Sequence, residues 1–347
     1  MVNVKEVKNI SRKQVADFLL NNALFILMGI AIIYIAVSNE NFLKWPSIIN
    51  IVSQTAAYLP AALGIAGCIV LAGTDLSAGR MVGLSACVSA SLLQAVGTGN
   101  KMWEGIGTLP IWIVIPAVML LCAVIGAFNG FFIAKFKVHP FIVTLGTQLI
   151  LYSVLLLYVQ QGSNRGMAIS NLDKSYTTFV KGSLPFMKIA GVPIPNYVIF
   201  ALIITAIIWF IWNKTTFGKN MFALGSNEEA AKVSGVNVFM TTILVFALAG
   251  AMYGFTGFVE GARIGSNTAN TGLNYELDAI AACVIGGVSF VGGIGKVRGV
   301  IIGVLMLRLI FIGLQMTSVD QNLQYLIKGG IILFACALDM RKYLVKK

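Results

Sequence analysis

One histidine, 13 acidic residues and 11% charged positions in a chain of 347 leave it short of nearly everything a soluble enzyme is made from. Average soluble domains carry about 25% charged residues, so an ordinary globular fold is excluded at the outset. With His139 as the only imidazole, a metal centre built on histidine has no material and a Ser-His-Asp relay has a single candidate base. The five cysteines stand singly in apolar stretches without a C-x-x-C pair, which reads as packing rather than redox or metal chemistry. No H-E-x-x-H occurs. The phosphate-cradling pattern G-x-x-x-x-G-K-[ST] fails at its best approach, where Phe290 replaces the first glycine and Val297 follows Lys296. The chain is therefore not expected to hydrolyse ATP or to be an enzyme.

What is plentiful is apolar: 58% of residues are hydrophobic and the mean hydropathy is +0.86. Roughly 20 apolar residues cross a bilayer core. Runs of that kind fall at 18–37, 47–72, 78–97, 110–134, 138–160, 194–213, 239–260, 276–292, 297–317 and 321–338. The fold class expected is all-α, a polytopic membrane helical bundle of about ten spans, forming one domain over 1–347. The first run is too long for a signal peptide and reads as an uncleaved span.

A net charge of +12 would point to nucleic acid if it were gathered on one surface, but its position says otherwise. Lys5, Lys8, Arg12 and Lys13 precede the first run, Arg341, Lys342, Lys346 and Lys347 follow the last, and Lys135, Lys137, Lys296 and Arg298 fall in alternate loops. This distribution orients a membrane chain, so both termini and the loop 213–238 are expected in the cytoplasm. Lipid is the partner implied, and nucleic acid is not. Glycine is abundant, and Gly79/Gly83, Gly126/Gly130, Gly250/Gly254, Gly257/Gly261 and Gly299/Gly303 have the four-residue spacing that lets membrane helices approach closely.

Three stretches interrupt the apolar pattern. In the polar island 213–238, Ser226 and Glu229 have the spacing of a capping box, Glu228 and Glu229 suit a first helical turn, and Gly235 suits a left-handed stop. The helix between those signals is far below the ~12 residues at which isolated helices become stable, so it needs another surface; a plain capped turn is the alternative. In GTDLSAGR, Asp75 and Arg80 lie between apolar runs, and in YELDAIAACVIGGVSFVGGIGKVRG, Glu276 and Asp278 open a run broken by paired glycines. Glycine-interrupted segments in both halves of a transporter point to broken helices beside a pathway. Charges at such depth are functional or pairing candidates, with interfacial span ends as the alternative. Arg308, inside VLMLRLIFIG, must snorkel or pair, and the sequence offers no partner for it.

GSNEEAAKVSGVNV resembles the cytoplasmic coupling segment of permeases in bacterial ATP-binding-cassette importers. GTDLSAGRMVGLSA and YELDAIAACVIGGVSFVGG are similar to the two signature stretches of the monosaccharide branch, the ribose, xylose and galactose permeases. Within that branch, Thr74, Arg80 and the run GARIGSNTANTGLNYELDAIAACV most resemble the galactose/methyl galactoside type, and the likeness covers nearly the whole chain. The resemblance implies that Asn227, Glu228, Glu229, Ala230, Ala231, Lys232 and Gly235 form a coupling helix for a separate ATPase subunit. It also implies two permease copies, ATP and Mg held by the ATPase and no cofactor on this chain. A periplasmic sugar-binding protein would meet loops such as 161–193 and 261–275, and the complex would sit in the bacterial inner membrane. Polar residues in otherwise apolar spans, Gln54, Thr55, Asn129, Thr144, Thr147 and Gln148, are then candidates for a hydrated path, with interhelical hydrogen bonds as the alternative. A self-contained sugar carrier working without an ATPase is the competing function.

Overall fold

A computed structural model describes residues 23–99 and 101–344. The basic N-terminal segment, the start of the first apolar run and the tail lysines Lys346 and Lys347 lie outside the described residues. The helices in chain order are α1 (Ala23–Ser38), α2 (Trp45–Val70), α3 (Ala78–Leu92), α4 (Ile111–Phe136), α5 (Pro140–Val159), α6 (Lys174–Lys181), α7 (Asn196–Lys214), α8 (Thr216–Ser226), α9 (Glu228–Val233), α10 (Val238–Ile264), α11 (Tyr275–Ile285), α12 (Val297–Met316) and α13 (Gln321–Leu344). A two-residue hairpin, β1 (Lys188–Ile189) with β2 (Val192–Pro193), pairs Lys188 with Pro193.

Six of these, α2, α4, α5, α7, α10 and α12, are long and apolar enough to cross a membrane. The chain is a multi-pass helical membrane protein. The expected run 276–292 is not one helix: α11 stops at Ile285, and Gly287, Gly292 and Gly293 take positive φ in the segment after it. Likewise α3 ends at Leu92 rather than 97. At 1.5 Å per residue α3 and α11 reach only about 22 and 16 Å, short of the ~30 Å core.

The central element is α10, with α2, α3 and α4 packed around it. Its glycines explain how the backbones meet: a Cβ on Gly250 would lie 2.1 Å from the Cys122 carbonyl of α4, and one on Gly126 of α4 would lie 2.1 Å from the Phe246 carbonyl of α10. Phe246, Tyr253, Leu63, Ile65 and Met81 fill the space between them as fully buried side chains. Lipid gives helices no hydrophobic drive to associate, so this close fit is what holds the bundle.

The two short helices begin side by side within the bundle and leave toward opposite faces. Gly79, in the first turn of α3, has no room for a Cβ because Glu276 and the Gly272 carbonyl at the start of α11 occupy it. From there α3 ends beside the loop after α5, where Asp173 N donates to Leu93 O at 2.8 Å. The segment after α11 instead reaches the end of α2, where Gly293 N donates to Val70 O at 2.8 Å. That second face also carries α8 and α9 and is the α9 face of the bundle; the first is its far face.

Gly225, in the last turn of α8, locks that corner, since a Cβ there would lie 1.7 Å from Val70 O and 2.9 Å from Gly293 N. Gly225→Val is therefore expected to pry α8 from α2, at a cost of about 3 kcal/mol. Detergent-solubilised protein should melt well below the parent in a size-exclusion thermal assay, and an unchanged melting point would refute the packing described.

Candidate functional site

Two helices occupy the polar island, where the sequence suggested one. The missed helix, α8, buries Met221 and Leu224 and leaves Thr216, Lys219 and Ser226 exposed. Its presence also moves the start of α9. Ser226 belongs to α8 and donates its hydroxyl to Phe222 O at 2.8 Å, so it cannot cap α9. Asn227, in extended conformation, is the cap instead, with Oδ1 accepting from Ala230 N at 2.9 Å. The capping box of Ser226 and Glu229 is thus replaced by an asparagine cap one residue later, a preferred residue for that role.

Glu228 and Glu229 lie in the first turn, as the dipole favours, and Lys232 in the last. Gly235 takes φ +84, and the bonds Gly235 N to Lys232 O and Val236 N to Ala231 O, both 3.0 Å, close the helix in a Schellman arrangement. Both ends are satisfied, yet only Ala231 of α9 is buried and Val233 is 89% exposed. Six residues with so little burial hold their shape weakly unless something else covers them. Glu228 forms an ion pair with Lys137, the left-handed residue that ends α4. Both side chains are at least half exposed, so the pair contributes less than about 1 kcal/mol. Beside it a cleft of about 300 Å³ opens between the α4–α5 turn, the end of α2 and α9, lined by Gly73, Ile133, His139, Glu228 and Thr242 among others.

Above that cleft, three residues singled out by sequence, Thr147, Asn129 and Asp75, are joined into one hydrogen-bonded chain through Ser77, and a fourth, Thr144, bonds the backbone of the same loop. Thr147 Oγ1 donates to Asn129 Oδ1 at 2.6 Å, Asn129 Nδ2 donates to Ser77 Oγ at 3.0 Å, and Ser77 Oγ donates to Asp75 Oδ1 at 2.5 Å. Thr144 Oγ1 accepts from Leu76 N at 3.1 Å and faces the Thr74 carbonyl at 3.3 Å. Asp75, Asn129 and Thr144 are wholly buried. The system ties α4 and α5 to the loop that begins α3, so these polar groups fix helix positions. Buried polar groups left without such partners would each cost about 1–3 kcal/mol.

Asp75 and Arg80 do not pair with each other. Ser77, two residues on, donates to Asp75 Oδ1 from both its backbone N–H and its hydroxyl, leaving Oδ2 buried with no hydrogen-bond partner among the described residues, whereas Arg80 Nη1 donates to Ala269 O at 3.0 Å and its guanidinium lies 4.2 Å over the Tyr152 ring. Asp75 lies in the loop before α3 and Arg80 in its first turn, so the side chains leave in different directions. Glu276, 4% exposed, packs against Gly79. Thr55 bonds back to Ile51 O of its own helix at 2.8 Å. Gln148 is half-buried on α5.

Two charged clusters join residues whose partners the sequence did not indicate. Arg308 finds its partner in Asp278, with Nη2 2.6 Å from Oδ2, and Lys328 Nζ lies 2.5 Å from the other carboxylate oxygen. The guanidinium also sits 3.4 Å over the Tyr58 ring, whose stacking partner is Tyr275 at 4.1 Å. On α10, Glu260 is fully buried and bound by Arg263 through Nε at 2.8 Å and Nη2 at 2.7 Å, with Gln54 Oε1 3.4 Å from Nη1. The i, i+3 spacing of Glu260 and Arg263 was the available signal. Reading the span as ending at Glu260 hid it, because the helix runs on to Ile264 and carries the pair inside.

The profile of a family described as branched-chain amino acid transport system / permease component matches residues 47–336. The chain is 45% identical to the galactose/methyl galactoside import permease protein of Salmonella typhimurium, covering 97% of this chain and 99% of that one. It is 32% identical to the ribose import permease protein of Haemophilus influenzae, with 95% and 96% covered. With the D-allose transport system permease protein of Escherichia coli the identity is 34%, over 91% and 90%. No solved structure matches it.

Proposed function

We propose a function from the premise that this chain belongs to the family of branched-chain amino acid transport system permease components. It is the membrane-spanning permease subunit of a binding-protein-dependent, ATP-driven importer, and its cargo is galactose or a methyl galactoside. One observation carries the choice of cargo: 45% identity over 97% of the chain to an import permease named for those sugars. The family description speaks of amino acids, but relatives named for ribose and D-allose, at 32% and 34%, fall on the sugar side as well.

In this reading the α9 face is cytoplasmic, the far face is periplasmic and the membrane is the bacterial inner membrane. We count α1, α13 and the half-helices α3 and α11 as crossings beside the six long helices, in keeping with the ten spans expected from the apolar runs and the cytoplasmic termini expected from charge. The segment Asn227–Gly235 engages the ATPase subunit, which holds ATP and Mg and does the hydrolysis. Its caps and its scant burial on this chain support that assignment. Two permease copies bring two α9 helices to two ATPase copies. Closure of the nucleotide-binding halves draws the helices together and turns the bundle from inward- to outward-facing. The binding protein docks on loops such as 161–193 and 261–275 and releases its sugar into the opened cavity.

Reconstitution with the ATPase and the sugar-binding protein tests the reading. Galactose-loaded binding protein is expected to raise ATP hydrolysis and to drive galactose into proteoliposomes only when ATP is present. Uptake by the permease alone, without nucleotide, would instead identify a self-contained carrier.

A further inference from the structure

Asp278, Arg308 and Lys328 come from three different helices, α11, α12 and α13, and meet at the wall of a recess of about 190 Å³. Arg308 lies eight residues before the end of α12, about 12 Å in from the far face at 1.5 Å per residue. The other polar lining residues are Asn274, Gln315 and Gln324 with the phenols Tyr58 and Tyr325. Polar side chains are costly against hydrocarbon and mark water-filled paths or substrate contacts when they occur inside a span. This recess also has spare hydrogen-bonding capacity. Gln324 spends its amide N–H on Val319 O at 2.9 Å and keeps its carbonyl oxygen as an acceptor.

From this lining we infer that the recess is a contact site for a monosaccharide on the translocation path, an inference that rests on the proposed import function. A sugar hydroxyl both donates and accepts, and the lining supplies both kinds of group: an acidic acceptor, two cationic donors and three amides. A small anion suits it less, because the Asp278 carboxylate already stands between the two cations, at 2.6 and 2.5 Å. An apolar ligand would leave the amides unpaired. Nothing tight is required here, since a permease must release what it passes.

Two measurements test this. In a Cys336→Ser background, Gln315→Cys and Gln324→Cys are expected to react with a charged, membrane-impermeant maleimide in nanodiscs. Reaction only with a lipid-soluble maleimide would mean that the recess faces hydrocarbon and would overturn the inference. In the reconstituted importer, the double variant Gln315→Ala with Gln324→Ala is expected to import about tenfold less galactose per ATP hydrolysed, the size of effect that comes from losing one or two hydrogen bonds in transit. A ratio equal to that of the parent would overturn it too. If the parent importer itself shows no ATP-dependent uptake, the import reading has failed, and the labelling result still reports whether the recess is wet.

Discussion

Asp278→Ala is expected to destabilise the bundle by about 3–5 kcal/mol, more than any other single change among its ion pairs, because it strands two cations at once. Arg308 and Lys328 approach separate oxygens of this one carboxylate, and the side chains of Asp278 and Arg308 are 7% and 10% exposed. The converse change should be milder. Arg308→Gln leaves Asp278 with Lys328 as its counter-ion, so a buried pair survives. An asymmetry is therefore expected between two substitutions of the same ion pair, with the acid variant melting well below the base variant in detergent. Equal losses would mean that Lys328 does not share the carboxylate. Replacing all three by apolar residues of similar volume is a different experiment, since removing a whole buried cluster is often neutral for stability.

Gly235→Val is the second large effect, and it separates function from folding. A β-branched residue forced to φ +84 costs roughly 1–2 kcal/mol, which is little for the whole bundle but large for a helix of six residues. The variant is expected to insert at the parental level and to melt within a degree or two of it, because of α9 only Ala231 is buried. Co-purification of the ATPase subunit should nevertheless fall at least about tenfold, and ATP-dependent galactose uptake with it. Glu229→Lys, which reverses the charge in the first turn, should weaken the same association without touching the C-terminal stop. Normal uptake by either variant would show that this segment is not the motor contact and would favour a carrier that needs none.

The contrast between these two predictions shows where sequence reading reached and where it stopped. Most long helices were legible to within a few residues, because about 20 apolar side chains in a row have one stable use in this chemistry. The ends of α9 were nearly legible as well. Gly235 was assigned from its place after a short helical run, whereas the start slipped from Ser226 to Asn227 because α8 was not anticipated. That helix is only 11 residues long and interleaves Phe217, Met221, Phe222 and Leu224 with glycines and polar residues, so periodicity alone did not raise it above a loop.

The polar residues of the spans were individually visible but not their company. Asn129 and Thr147 stood out as amide and hydroxyl in apolar runs, and nothing in their spacing said that Ser77 would lie between Asn129 and Asp75. Asp75 and Arg80, close in sequence, invited a pairing that the start of α3 prevents.

By itself, then, the amino-acid order determined that this protein lives in a membrane, that it is helical, and that a capped helix interrupts the apolar runs between α7 and α10. Those are consequences of hydropathy, charge placement and end-capping, each acting within a few residues along the chain. Only the tertiary structure decided which charges neutralise each other and where the two broken helices begin. Arg308 and Asp278 are 30 residues apart, and close packing of glycine-bearing helices, rather than any local preference, carries one to the other.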